Sequence, residues 1–339
     1  MTGKNWTGCD LIFDVDADHL DTACKKEHDI WICSKCKAEG KGDPPAGCPK
    51  CGNKDISKIT WICRDCLNTA KKEIIKVLDE FLISDLSLDP AKIFLAFSGH
   101  RGYHIHVEDD KIKTLDANAR KELIDYITGN GVTPEFHGLI QIPGRIIVGP
   151  KSDDYGWRGR INRYVSRFLS ETDEKALTSI GFNKPKRKIL LDNRDFLVTS
   201  LSLKDTRIPG VNGISWDLAK LKINDWGKII EAAIKLYAGK IDEPVTADIH
   251  RLIRLPNSLN GKTGFKTQLL TREELEAFNP LKDSQVFKGY VKVKINRAPR
   301  IVINDSSYGP FYNEVAELPT SVGVFLACKN VAEIISQST

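Results

Sequence analysis

Short apolar runs alternate along the chain with stretches of helical periodicity. Leu11, Ile12 and Phe13 read as a strand that runs on into Asp14-Val15-Asp16-Ala17-Asp18. Alternate strand side chains share a face, so Asp14 and Asp16 are expected side by side. After Cys66, the spacing of Ile74, Ile75, Leu78, Phe81 and Leu82 predicts a helix, which Asp89-Pro90 ends. Residues 92–97 read as a buried strand. A glycine turn and a returning strand follow through 107, with Tyr103, Ile105 and Val107 on one side and His104 and His106 on the other. A helix is expected over 116–128, and a mostly helical region over 151–240. Thr246 as N-cap, Asp248 in a first turn and Pro256 as a stop predict a further helix, with His250 and Arg254 on one face. Strands are expected over 286–294 and 299–304, then a strand and a short helix within 322–336.

The 339 residues allow two domains or one large one with insertions, and 41% hydrophobic residues support a core. Fifty basic against 45 acidic residues leave a net charge of +5, so any affinity for a polyanion has to come from a local patch. The most basic stretch, Trp157-Arg158-Gly159-Arg160 through Arg163, Arg167 and 184–188, fits a nucleic-acid path and an ordinary charged helical surface equally. No apolar run is long enough to span a membrane and no signal-peptide pattern opens the chain, so the expectation is a cytoplasmic protein.

Eight of the nine cysteines precede residue 67, six of them in Cys-x-x-Cys pairs. Without a signal peptide that spacing indicates metal rather than disulfides. Cys24, His28, Cys33, Cys36, Cys48, Cys51, Cys63 and Cys66 are enough for two closed tetrahedral zinc sites of a structural kind. Cys33, Cys36, Cys48 and Cys51 read as a zinc ribbon. Cys24, His28, Cys63 and Cys66 then remain to clamp its base, although spacing alone does not fix the pairing. Lys35, Lys37, Lys41, Lys50 and Lys54 around the ribbon fit a nucleic-acid grip or a solvated surface.

Two carboxylates held as close as Asp14 and Asp16 repel unless a cation lies between them. Mg²⁺ or Mn²⁺ suits such oxygen ligands, with nucleotide phosphates completing the shell. Taken alone, the pattern also fits an acidic strand end facing solvent. The hairpin alters that balance: Ser98, His100, Arg101 and His104 converge as donors beside a turn that Gly99 and Gly102 keep open for a phosphate. No Ser-His-Asp or Cys-His arrangement is evident.

Three stretches together resemble the catalytic small subunit of the archaeal and eukaryotic DNA primases, the archaeal branch in particular. Asp14-Val15-Asp16-Ala17-Asp18-His19 resembles the family's metal-binding motif. Residues 98–104 resemble its Ser-Gly-x-Arg-Gly-x-His triphosphate motif, and 242–264 its third motif. The resemblance implies an α+β fold, with a mixed sheet of the RNA-recognition type in a catalytic core of 1–18, 67–150 and 241–339. A zinc-binding insertion would occupy 19–66 and a helical one 151–240. It implies Asp14, Asp16 and Asp242 as carboxylates for two Mg²⁺ or Mn²⁺ ions, with Asp248 the rival for the third place. Ser98, His100, Arg101, His104, Arg254, Asn260 and Lys262 would face the nucleotide. The family often has arginine in place of His100 and histidine in place of Asn260; both replacements keep a donor. The implied activity is nucleotidyl transfer, making short primers on single-stranded DNA from nucleoside triphosphates during replication, with a large regulatory subunit as partner. The family also carries a segment before its first motif. Here the acidic strand starts near the tenth residue, so reduced activity of this chain alone is expected. Two other readings remain: a repair or translesion primase-polymerase, and a non-catalytic zinc-ribbon nucleic-acid-binding protein.

Overall fold

The structure, a computed structural model, describes residues 6–202 and 210–338, which fall into two compact units. The first comprises the chain as far as Ile83, Ser87–Ile124 and the residues from Lys240 onward. At its centre lies a four-stranded sheet of β1 (Leu11–Asp16), β2 (Ile93–Phe97), β3 (Gly102–Val107) and β4 (Gln268–Leu270), in the order β1-β3-β2-β4. Every pairing in it is antiparallel, which corrects the expected mixed sheet. The reason is local: the four residues 98–101 reverse the chain between β2 and β3, and β1 lies antiparallel against β3.

Alternation in β1 buries Leu11, Phe13 and Val15 and leaves Ile12, Asp14 and Asp16 on the other face. The buried face meets helix α1 (Arg64–Lys76), which packs Cys66, Leu67, Ala70 and Ile74 inward against β1 and β3. The helix continues as a π-wound segment, Val77–Asp85. The cysteine-rich segment forms three short antiparallel strands, with Ile30–Cys33 between Glu39–Lys41 and Ile56–Ile59.

The helix expected after Thr246 is not formed. A short helix α2 (Glu243–Ala247) precedes it instead, with Asp242 at the N-cap position and Pro244 in the first turn, where proline is tolerated. Asp248 is at the C-cap, and its Oδ1 accepts from the His250 N–H at 2.9 Å. Such a local turn competes with helix continuation. Toward the C-terminus, Tyr290–Ala298 pairs with Phe311–Pro319 and Ala332–Ser338. Helix α3 (Thr320–Cys328) packs on this sheet and precedes the last strand. An apolar run of that length does not reveal which element it forms.

The second unit comprises 84–86 and 125–239. It takes in 125–150, read above as core, because Ile146–Gly149 pairs with both Ile140–Ile142 and Ile214–Ser215. Five helices follow the pattern expected from 151 onward: Gly156–Glu171, Glu174–Ser179, Lys184–Asp192, Arg194–Ser202 and Ile223–Tyr237. Residues 203–209 of that expectation lie outside the described residues. Much of its basic set is internally engaged: Arg160 is buried against Asp85 at 2.5 Å, Lys186 meets Asp225 at 2.6 Å, and Arg167 meets Glu171 at 2.9 Å. No helix among the described residues is long and apolar enough to cross a membrane.

Candidate functional site

Asp14 and Asp16 emerge from the open face of β1 into a cavity of 220 Å³. Ser98, His100, His104, Arg251, Arg254, Asn260 and Lys262 line it with them. Register fixes the near side: Asp14 lies opposite His104, and Asp16 opposite Gly102. His104 Nε2 is 3.6 Å from Asp14 Oδ1. The Asp242 N–H donates to the Asp14 carbonyl at 2.8 Å, bringing the first turn of α2 beside β1. Burial, then the charges of Asp16 and Asp242, push the Asp14 carboxyl up to about 7, against the pull of Arg251 and Arg254. Burial raises Asp16 too, against Arg101 and His19. Hard oxygen donors that repel one another in this way fit divalent cations. Asp248 lies apart from this group, lining a neighbouring cavity with Cys9, Asp10 and Arg120.

The far wall is built by pinning the 254–263 loop to the hairpin. Ser98 Oγ accepts from the backbone N–H groups of His100 and Gly102 at 3.4 and 3.2 Å. Its carbonyl accepts from Arg254 and from the Asn260 side chain, each at 2.9 Å. Asn260 is thus a buried strut of the turn, whereas Arg254 and Lys262 remain exposed at the rim. Gly99 has φ +75°, and a Cβ there would come within 2.7 Å of Asn260 Cβ. Gly102 is tighter still: a Cβ would stand 2.5 Å from the Val15 carbonyl oxygen and 3.0 Å from Asp16 Cα. Gly102→Ala is therefore expected to push β1 off register at Asp16, with stability falling by about 1–3 kcal/mol. Denaturant melts of the variant against wild type read the effect.

Arg101 is placed elsewhere than the rim. Its side chain is fully buried, pairs with Asp18, and donates to the Trp61 carbonyl at 2.9 Å and to Asp29 Oδ1 at 3.3 Å. Asp29, also fully buried, accepts from His28 Nδ1 at 2.8 Å and from the Trp61 N–H at 3.1 Å, and pairs with Lys58 at 3.1 Å. Burial works against this carboxylate, but the hydrogen bonds from His28, Trp61 and Lys58 hold its pKa below the ordinary range.

His28 and Asp29 lead to the cysteines. Cys24, His28, Cys63 and Cys66 form one group with ligand atoms all within 4.8 Å of one another, and Cys33, Cys36, Cys48 and Cys51 form another. Both groups could hold a metal ion. The Nδ1 bond to Asp29 leaves His28 Nε2 facing the thiols, 3.3 Å from Cys66 Sγ. A carboxylate behind the ring is the usual way a ligating imidazole is oriented. Cys63 sits at the N-cap of α1 and Cys66 in its first turn. A hydrogen bond from Cys66 pulls the Cys63 thiol down to about 3, against burial, while Cys66 is pushed up. One thiolate among crowded sulfurs is the state that a soft cation would complete.

Two further cations stand at the site, Arg251 on the cavity wall and Lys329 behind it. Arg251 lies within the third motif, where His250 and Arg254 carry the stronger helical spacing. Lys329 gave no signal, since its Nζ reaches His100 Nε2 at 3.1 Å from 229 residues away in sequence.

A carboxylate-bearing sheet edge facing a basic rim, beside thiol clusters able to hold metal, is the arrangement of a protein suited to holding cations beside a polyanionic ligand. A family model described as the DNA primase small subunit matches residues 43–269, and the chain belongs to that family. Proteins named DNA primase small subunit PriS are similar over 98% of this chain. The one from Methanothrix thermoacetophila is 36% identical and covered over 79% of its length. Those from Methanocella arvoryzae and Nitrosopumilus maritimus are 32% and 30% identical, each covered over 78%.

Proposed function

We propose that this chain is the catalytic subunit of a replicative DNA primase, joining nucleoside triphosphates into short primers on single-stranded DNA. The observation that carries the reading is the cavity with Asp14 and Asp16 on one wall and Arg251, Arg254 and Lys262 on the other. Asp14, Asp16 and Asp242 would hold two Mg²⁺ or Mn²⁺ ions, which supply a lowered pKa at the attacking hydroxyl and neutralise charge on the leaving pyrophosphate. The basic side chains balance the triphosphate and hold its α-phosphate toward the carboxylates. His104, kept neutral by burial at a pKa of about 3, offers a hydrogen bond without adding charge. No protein nucleophile is needed. Zinc in the two cysteine groups would be structural, since each group offers four protein ligands. The small-subunit relationship supports a larger regulatory partner.

The third carboxylate is assigned to Asp242 rather than Asp248. Asp242→Asn is expected to lower metal-dependent incorporation of labelled nucleotides by about 10³-fold, with Asp248→Asn close to wild type. The reverse ranking would overturn the assignment. Equal incorporation by wild type and by the Asp14→Ala, Asp16→Ala double variant would overturn the proposed function itself.

A further inference from the structure

Lys329 is buried at the end of α3, with 8% of its surface exposed. Helix α3 is held by Phe325, which stacks on Phe265 at 5.6 Å and meets Trp61 at 6.0 Å. The chain thereby delivers an ammonium group to the back of the nucleotide hairpin. Among the described residues that ammonium has no carboxylate within ion-pair distance. Its neighbours are His100 Nε2 at 3.1 Å and the face of Phe325 at 5.5 Å. An ammonium has only donors, so the imidazole nitrogen facing it has to be the acceptor. The remaining proton of a neutral His100 is then on Nδ1, which has no partner among the described residues, in a residue that lines the cavity. Burial, then the charges of Lys329, Lys262 and Arg254, pull His100 down to about 3. Burial, then Arg101 and Lys262, bring Lys329 down to about 8, with Asp29 opposing. At neutral pH the pair is therefore lysine-charged and histidine-neutral.

We infer that Lys329 is a positioning residue for the nucleotide site: it fixes His100 in the Nδ1–H tautomer and polarises that N–H as a donor to a phosphate of the bound nucleoside triphosphate. A charge buried one residue behind the cavity wall thus acts on the ligand through a neutral ring, as hydrogen-bonded chains do in a low-dielectric interior. The inference rests on the proposed triphosphate site and adds a residue to it.

The test measures ATP and AMP binding to the full chain in Mg²⁺, together with the histidine ring nitrogen signals by ¹⁵N NMR. The variants are Lys329→Met, Lys329→Arg and the double variant His100→Arg, Lys329→Met. Lys329→Met is expected to weaken ATP binding about tenfold, the low end of what a hydrogen bond to a charged group contributes. AMP should change far less. The His100 signal, assigned by its loss in His100→Asn, should leave the Nδ1–H pattern in Lys329→Met and keep it in Lys329→Arg. The double variant, which places a permanent charge at position 100, should recover ATP affinity; it also serves if Lys329→Met alone folds poorly. Wild-type ATP affinity and an unchanged tautomer in Lys329→Met would overturn the inference while leaving the triphosphate site intact. Failure of wild type itself to bind ATP better than the Asp14→Ala, Asp16→Ala variant would overturn both.

Discussion

Asp14→Asn is expected to stabilise the chain in Mg²⁺-free buffer while abolishing its activity. The Asp14 carboxyl has a folded-state pKa of about 7 against an ordinary value of 3.8. Between those values the native state holds a proton that the unfolded chain has released, so stability falls as pH rises through the window, and the full penalty stands above it. Asparagine removes the charge and keeps the shape. The expected gain is on the order of a few kcal/mol at pH 8 and close to zero at pH 4. In the wild type, added Mn²⁺ should recover a similar gain at pH 8 and little at pH 5, because the carboxyl is then protonated. The measurement is thermal denaturation of zinc-loaded protein at these pH values, with and without Mn²⁺. An asparagine variant less stable than wild type at pH 8 would mean that Asp14 is paired rather than frustrated.

The second large effect is expected at the base of the cysteine-rich insertion. Cys66 is fully buried in the first turn of α1, the helix that supports β1 and β3. From the same group, His28, Asp29 and Arg101 form a continuous hydrogen-bonded chain to Asp18, just past the carboxylates. A metal held by this group would couple the support of the sheet to its acidic edge, and its loss would uncouple them. Cys66→Ser is expected to cost on the order of 5 kcal/mol or more and to remove activity with it. Cys51, exposed at the ribbon tip, is different: Cys51→Ser should lower the zinc content from two ions to one with a much smaller loss of stability. Metal analysis combined with thermal melts separates the two. Equal destabilisation by both variants would sink the distinction between a core-bracing site and a peripheral one.

The acidic strand, the glycine hairpin and the grouping of the seven cysteines with His28 are legible because each depends on short-range spacing. Asp14 and Asp16 share a face in any strand, and Cys-x-x-Cys pairs predict their own loops. The neighbours of Arg101 in the sequence suggest a phosphate contact. Only the tertiary fold reveals Asp29, which draws the guanidinium inward. The helix expected after Thr246 does not form because the Asx turn at Asp248 redirects the chain, and a basic apolar stretch carries no sign of that. Lys329 was invisible for the same reason that it matters: its partner lies across the whole fold.

The most direct measurement is primer synthesis by the purified, zinc-loaded chain, alone and with any co-purifying subunit, on single-stranded DNA with labelled nucleoside triphosphates and Mg²⁺ or Mn²⁺. Labelled oligomers that require the cation and vanish in the Asp14→Ala, Asp16→Ala double variant are expected. A folded wild-type protein that binds single-stranded DNA yet incorporates no nucleotide under any of these conditions would contradict the assignment of the cavity to nucleotidyl transfer.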